Sequence, residues 1–298
     1  MTMPNAYTVL KTNESRWGAL YTPLKPKKEK EGLSTVLFVS CNSGNLLLKN
    51  LALYEAIYPE KLNIVGVVTD DPIDPEARIS IKKRVWKQFT PQERSNLFNQ
   101  TIDFAANLGV PCYSGAVKNA WFHDIFRSWA PEALLMLCFG QKIDAALFGF
   151  PLMGSYNFHP SDLQKKIGAG SQPFENTIKK GQKTSPLVIH EVTNVIDRGP
   201  IIGVSPQVNI CLEDGSYPAS ILTLDDKITS LGGWMGVELI DTIIARKAAG
   251  EKGSVGEIDF IGKIPQSIKA ILSKPAVNDL NEKYVIPRHP LLNNNHPA

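Results

Sequence analysis

The sequence predicts an α/β protein, a doubly wound and mainly parallel sheet followed by a short C-terminal appendage. Two observations carry this. Continuous apolar runs such as "STVLFVS" (34–40) and "EALLMLC" (132–138) suit parallel strands covered on both faces, not half-exposed strands that alternate. Strand and helix patterns then alternate from 34 to 250, the order that builds βαβ units. A chain of 298 residues, 43% hydrophobic and 20% charged, is long enough to bury one large core without metals or disulfides.

Residues 1–33 are weakly patterned and end in "PLKPKKEKEG", a mixed-charge stretch expected to be a solvated lead-in. After the strand at 34–40, "GNLLLKNLALYEAIY" (44–58) has apolar residues at helical spacing, and "LNIVGVVT" (62–69) reads as the next strand. Over 90–109, Thr90 is set to cap a helix, with Pro91 in its first turn, Glu93 completing a capping box and Gly109 as the stop. "VPCYS" (110–114) is a short strand, "AWFHDIFRSWA" (120–130) a helix, and 132–138 a strand. "GSYNFHP" (154–160) is a fifth strand, stopped by Pro160, which has no N–H for a ladder. "QPFENTIKKG" (172–181) is a short helix, and "PLVIHEVT" (186–193) pairs with "GPIIGVSPQVNI" (199–210). Residues 221–250 read as one long helix that Gly232-Gly233 can bend. The expected division is an N-terminal extension at 1–33, a catalytic domain at 34–250 and an appendage at 251–298 with a polar, mobile end.

A formal net charge of +3 is too mild to suggest nucleic acid. The four cysteines are far apart with no C-x-x-C, which suggests buried free thiols and a reducing, cytoplasmic setting, and no metal-ligand cluster is visible. No apolar leader or membrane-length run is evident, so neither membrane nor metal is expected.

On such sheets ligands sit beyond the carboxyl ends of the strands, near the switch in strand order. Asn157 and His159, two apart on a strand, point to one face there. An amide donor beside a group that can be acid, base or cation suits oxyanion stabilisation and proton transfer, although a structural histidine is the plainer alternative. Asp197, before "RGP", either caps a turn or orients and charges His159, while His190 reads as structural support. The turn "SCNSGN" (40–45) can offer backbone N–H groups to a phosphate, or Ser43 or Asn42 simply caps the following helix. Lys82-Lys83-Arg84 could assist a phosphate or be a solvated helix face.

"NFHPSDL" with "HEVTNVIDRGPII" resembles the folate-dependent formyltransferase family, in which Asn-x-His-Pro-Ser is followed some way downstream by an Asp before a Gly-Pro turn. "PEALLMLCFGQKI" (131–143) is similar to that family's strand leading into the folate pocket, and "VLFVSCNSGNLLLKNL" to the first strand and phosphate loop of its glycinamide ribonucleotide branch. The resemblance implies a Rossmann-like formyltransferase fold and 10-formyltetrahydrofolate as co-substrate. It makes Asn157, His159 and Asp197 the catalytic trio; a neighbouring Asp197 carboxylate favours the cation, so His159 can remain protonated near neutral pH. Leu137, Cys138, Phe139, Gly140, Gln141 and Ile143, with Val192, Thr193, Asn194, Val195 and Ile196, become the folate pocket. Asn42, Ser43, Gly44 and Asn45 become the acceptor cradle.

The expected reaction is formyl transfer to the primary amine of a small acceptor, phosphorylated or not, such as glycinamide ribonucleotide (hence purine biosynthesis) or an amino sugar nucleotide. Methionyl-tRNA ranks lower, since its enzyme carries a C-terminal barrel for which the residues after 250 are too few. A 10-formyltetrahydrofolate hydrolase and a non-catalytic folate-binding sensor are the alternatives. Expected partners are small-molecule substrates, with a homodimer allowed for and no nucleic acid.

Overall fold

The computed structural model describes residues 6–11, 18–28, 31–69, 89–279 and 289–292. The chain opens with strands β1 (Tyr7–Lys11), β2 (Gly18–Pro23) and β3 (Leu33–Val39), then helix α1 (Asn45–Ile57), β4 (Leu62–Thr69) and α2 (Pro91–Asn107). β5 (Cys112–Gly115), α3 (Ala120–Ser128), β6 (Ala133–Leu137), α4 (Ala145–Phe148), β7 (Ser155–His159) and α5 (Pro173–Lys179) follow. Then come β8 (Thr184–Ser185), β9 (Val188–Glu191), β10 (Ile201–Val204) and β11 (Val208–Asn209). Helices α6 (Ile221–Thr229), α7 (Leu231–Ala248), α8 (Phe260–Lys263) and α9 (Gln266–Leu272) end the run.

The main sheet has the order β1-β2-β5-β4-β3-β6-β7-β9-β10. Its centre, β5-β4-β3-β6-β7, is parallel, and antiparallel pairs extend it at both edges. The unbroken apolarity of β3 follows from its two covered faces. Leu37 and Val39 join the core under α1 and α7, while Val36 and Phe38 face the layer of α3. Phe38 meets Phe122 and Phe126 edge-on, with centroids 6.0 and 6.1 Å apart. Each such ring, fully buried, contributes roughly 1.5–3 kcal/mol.

Local signals place the helices. Thr90 Oγ1 accepts the Glu93 N–H at 3.2 Å and Glu93 Oε2 accepts the Thr90 N–H at 2.7 Å, the reciprocal cap read from the sequence. The expected long helix over 221–250 is instead two helices meeting at Ser230. The glycines just beyond let α7 approach closely: a Cβ at Gly233 would stand 2.4 Å from the Asn50 amide nitrogen on α1. Residues Ile221–Ala248 are apolar enough to span a membrane by length and composition, but 72% of their most apolar window is buried against this core.

The lead-in at 1–33 is not merely solvated. β1 and β2 form a hairpin whose second strand pairs with β5. Tyr21 packs edge-on to Tyr7 and Phe98, at 5.4 and 6.0 Å. Within the mixed-charge stretch, the Lys27 ammonium lies 2.5 Å from the buried Glu55 carboxylate. The hairpin was illegible because its first strand leaves Val9 and Leu10 45% and 54% exposed, which blurs the apolar pattern. Toward the other end, Phe260 stacks edge-on against Trp234 at 5.6 Å, and His289 Nε2 lies 2.6 Å from Glu238 Oε1, so both described parts of 251–298 pack on the core. The run Lys82-Lys83-Arg84 and residues 293–298 lie outside the described residues.

Candidate active site

The strand order reverses beside β3, whose neighbours are β4 and β6. A cavity of about 650 Å³ opens at the carboxyl ends of β3, β6 and β7, where that topology favours a ligand. Both ends of the sequence's polar motifs reach it.

Asn157 and His159 leave β7 on the same face, opposite His190 and Val188 of β9. The chain after β9 doubles back across them. Val192 N–H donates to Ser155 O at 2.8 Å, and Glu191 N–H donates to Pro200 O at 2.9 Å. Gly199 makes the closure feasible, because a Cβ there would stand 1.8 Å from Glu191 O. Asp197, carried on this loop, adopts a left-handed backbone with φ 52°, uncommon for a residue with a side chain. Its carboxylate is anchored at both oxygens: Oδ2 accepts the Gly170 N–H at 2.7 Å and Oδ1 accepts an Asn157 amide proton at 3.4 Å. Both imidazoles border it, His159 Nδ1 at 3.6 Å from Oδ2 and His190 Nε2 at 3.4 Å from Oδ1.

Carbonyl partners fix the ring protons, since a carbonyl only accepts. His190 Nδ1 donates to Glu191 O at 2.8 Å, which leaves its Nε2 to accept from the Asn157 amide at 3.0 Å. His190 is therefore more than support for the strand: with Asp197 it orients the Asn157 amide. His159 Nε2 donates to Gly168 O at 2.7 Å, so its Nδ1 faces Asp197.

Burial is the dominant influence on His159 and pulls its pKa below the ordinary 6.5, assisted by His190. The Asp197 carboxylate and the Gly168 carbonyl oppose it without overcoming it. The expectation of an imidazolium near neutral pH is thereby corrected: Asp197 favours the cation, but desolvation of the buried ring outweighs it. For Asp197, burial alone would raise the pKa. The His190 imidazole beside its Oδ1, the nearby His159 and the Gly170 N–H together hold it below the usual carboxylate value. The pair is a neutral base beside a firmly ionised acid.

Of the pocket expected at 137–143 and 192–196, Cys138, Phe139, Gly140, Gln141, Ile143, Val192, Thr193, Val195 and Ile196 line the cavity. Leu137 does not. It lies in the core beneath α7, and Asn194 points to solvent. Gln141 also ties the wall together, donating to Gly115 O at 2.7 Å and accepting the Val117 N–H at 3.3 Å. In the cradle expected at 42–45, only Asn42 and Ser43 reach the cavity. Gly44 N–H donates to Ser40 Oγ at 3.2 Å, and the Asn45 amide donates to Cys41 O and Thr101 Oγ1 at 3.0 and 2.9 Å. Neither Asn42 nor Ser43 caps α1 through its side chain. Both turn to Asp225 of α6, the Ser43 hydroxyl and the Asn42 amide (3.4 Å) donating to its Oδ2. Asp225 had no signal in the sequence. It is a polar residue on a helix that reads as core, far along the chain from the turn it meets.

No protein-family model matches the chain. It is 29% identical over 184 residues to a methionyl-tRNA formyltransferase of Dictyoglomus turgidum, covering 61% of this chain and 51% of that protein. It is 31% identical over 142 residues to one of Halothermothrix orenii, covering 48% and 42%. The chain thus spans about half the length of these curated relatives. Glycinamide ribonucleotide transformylase 1 of Symbiobacterium toebii has a similar fold, with a TM-score of 0.51 at 16% identity over 72% of this chain and 89% of that one. The resemblance to folate-dependent formyltransferases, read first from "NFHPSDL" and "DRGPII", holds in sequence and in fold.

Proposed function

Starting from that resemblance, we propose that the chain transfers a formyl group from 10-formyltetrahydrofolate to a primary amine. The observation that carries the reading is the convergence of Asn157, His159 and Asp197, 40 residues apart at their extremes, on one wall of one cavity. The cavity also suits the donor. Met136, Phe139, Ile143 and Val192 offer apolar surface to a flat heteroaromatic ring, and Val195 and Ile196, 61% and 52% exposed, offer it to the rest of the molecule at the mouth.

The folate supplies a formyl carbon that accepts the amine nitrogen, one C–N bond forming as the other breaks. Asn157 donates to the formyl oxygen as negative charge collects on it by turning one amide proton away from Asp197 Oδ1, the longer of its two contacts at 3.4 Å, while His190 Nε2 holds the other at 3.0 Å. His159, neutral at rest, takes the proton that the attacking nitrogen must lose. Asp197 then stabilises the imidazolium formed, and the same proton goes to the leaving folate nitrogen, so the ring ends as it began.

The acceptor is a separate matter. The relatives are named for methionyl-tRNA and the structural neighbour for glycinamide ribonucleotide, two acceptors joined to one donor chemistry. Supplying 10-formyltetrahydrofolate with a panel of amines and following the folate absorbance tests the reading. Formyl loss that depends on an amine supports transfer. Loss without an amine indicates a hydrolase, binding without loss a sensor, and either result overturns the proposal.

A further inference from the structure

The turn after β3 is where an acceptor phosphate was expected, yet the polar groups it shows the cavity are already engaged by an acid. Ser43 and Asn42 both donate to Asp225 Oδ2, and Cys138 Sγ lies 3.7 Å from Oδ1. Asp225 is only 7% exposed and is held on α6, so it does not swing away as a surface carboxylate would. It lines the same cavity as Asn157 and His159, together with Ile221 from the first turn of its helix. A phosphate entering this turn would meet a carboxylate instead of a hydroxyl and an amide. Like charges in a poorly solvated site repel strongly, by more than a few exposed N–H groups can offset.

We propose that Asp225 determines acceptor specificity by closing the 40–45 turn to phosphate, so that the acceptor is an amine without a phosphate at this position. The proposal rests on the formyl-transfer reading for its meaning, and the second of its two tests does not need that activity. The turn leads directly into α1, and Asp225 reaches its Asn42 and Ser43 side chains from α6. Specificity of this kind acts by exclusion, an unfavourable contact with the wrong partner rather than an extra contact with the right one.

Two measurements test it. In the first, ethanolamine is compared with phosphoethanolamine, and glucosamine with glucosamine 6-phosphate, as formyl acceptors of the wild type and of Asp225→Asn. Wild type is expected to favour the unphosphorylated member of each pair in kcat/KM by roughly tenfold or more. Asp225→Asn, similar in shape but uncharged, is expected to shrink that ratio by about the same factor. A wild type that prefers the phosphorylated members, or a ratio unmoved by the variant, overturns the proposal and leaves formyl transfer standing. The second measurement needs no activity: titration of inorganic phosphate, followed by calorimetry, into wild type, Asp225→Asn and Asp225→Ser, each checked for a cooperative melt. Binding gained in at least one folded variant and absent from the wild type supports the proposal. Equal phosphate affinity in all three proteins overturns it, even if no amine in the panel is formylated.

Discussion

The two ends of the cavity are built from the same kind of material, a turn or loop at the carboxyl edge of a parallel sheet, and they use it in opposite ways. At the β7 end, an amide, two imidazoles and a carboxylate face one another, with the donors and acceptors of Asn157, His190 and Asp197 matched. His159 remains a buried neutral base beside an ionised acid, poised to change charge. At the β3 end, the side-chain donors of the turn are engaged by a carboxylate from a distant helix. In the proposed reading the first end serves charge that develops during a reaction, and the second keeps one kind of charge out.

If the two ends are distinct in this way, variants at the β7 end should slow transfer to every amine, and variants at the β3 end should change which amine is used. The largest effect is expected for Asn157→Ala and His159→Ala. Each removes a group that the proposed mechanism sets on the reacting atoms and should lower turnover by about 10²–10³, measured as acceptor-dependent formyl loss. Asp197→Asn is expected to be milder, about 10–10²-fold, the scale of one charged hydrogen bond.

That variant also has a pH signature. His159 is neutral above a pKa that burial holds below 6.5, so kcat/KM should be flat at neutral pH and fall on an acid limb below 6.5. Asp197 raises the His159 pKa, so its removal should move the acid limb to lower pH. A limb that moves up would reverse the assigned roles.

His190→Ala should cost about tenfold in turnover by releasing the Asn157 amide, while His190→Gln, which keeps an acceptor, should recover part of it. An equal loss in both variants would make His190 a packing residue. The smallest effect on chemistry is expected at Gly199→Ala. The new Cβ meets Glu191 O and should destabilise the fold by about 1–3 kcal/mol in denaturant titration, with KM rising as the 192–200 loop shifts.

What could be read from the sequence divides along the same line. That Asn157 and His159 would share a face was legible because they are two apart on a strand, and Pro160 marked the end of that strand, where they meet the cavity. The parallel centre was legible because buried strands such as β3 and β6 are apolar on both faces. The β1–β2 hairpin was not, since an edge strand buries one side only and its tyrosines pack across elements rather than along the chain. His190 was seen but given too small a part, because nothing in its spacing reveals that the chain after β9 folds back over it. Asp225 was missed altogether. Its partners Asn42 and Ser43 are remote in sequence, and nothing in the run Asp225-Asp226-Lys227 marks which acid turns toward them.

The central claim is that Asn157 and His159 act together at one formyl carbon. Acceptor-dependent formyl loss from 10-formyltetrahydrofolate, measured for wild type, Asn157→Ala, His159→Ala and the double variant with one good amine, tests it most directly. Groups acting as a unit should give single losses of about 10²–10³ and a double loss well short of their product. Near-wild-type turnover in either single variant, or losses that simply multiply, would contradict the account.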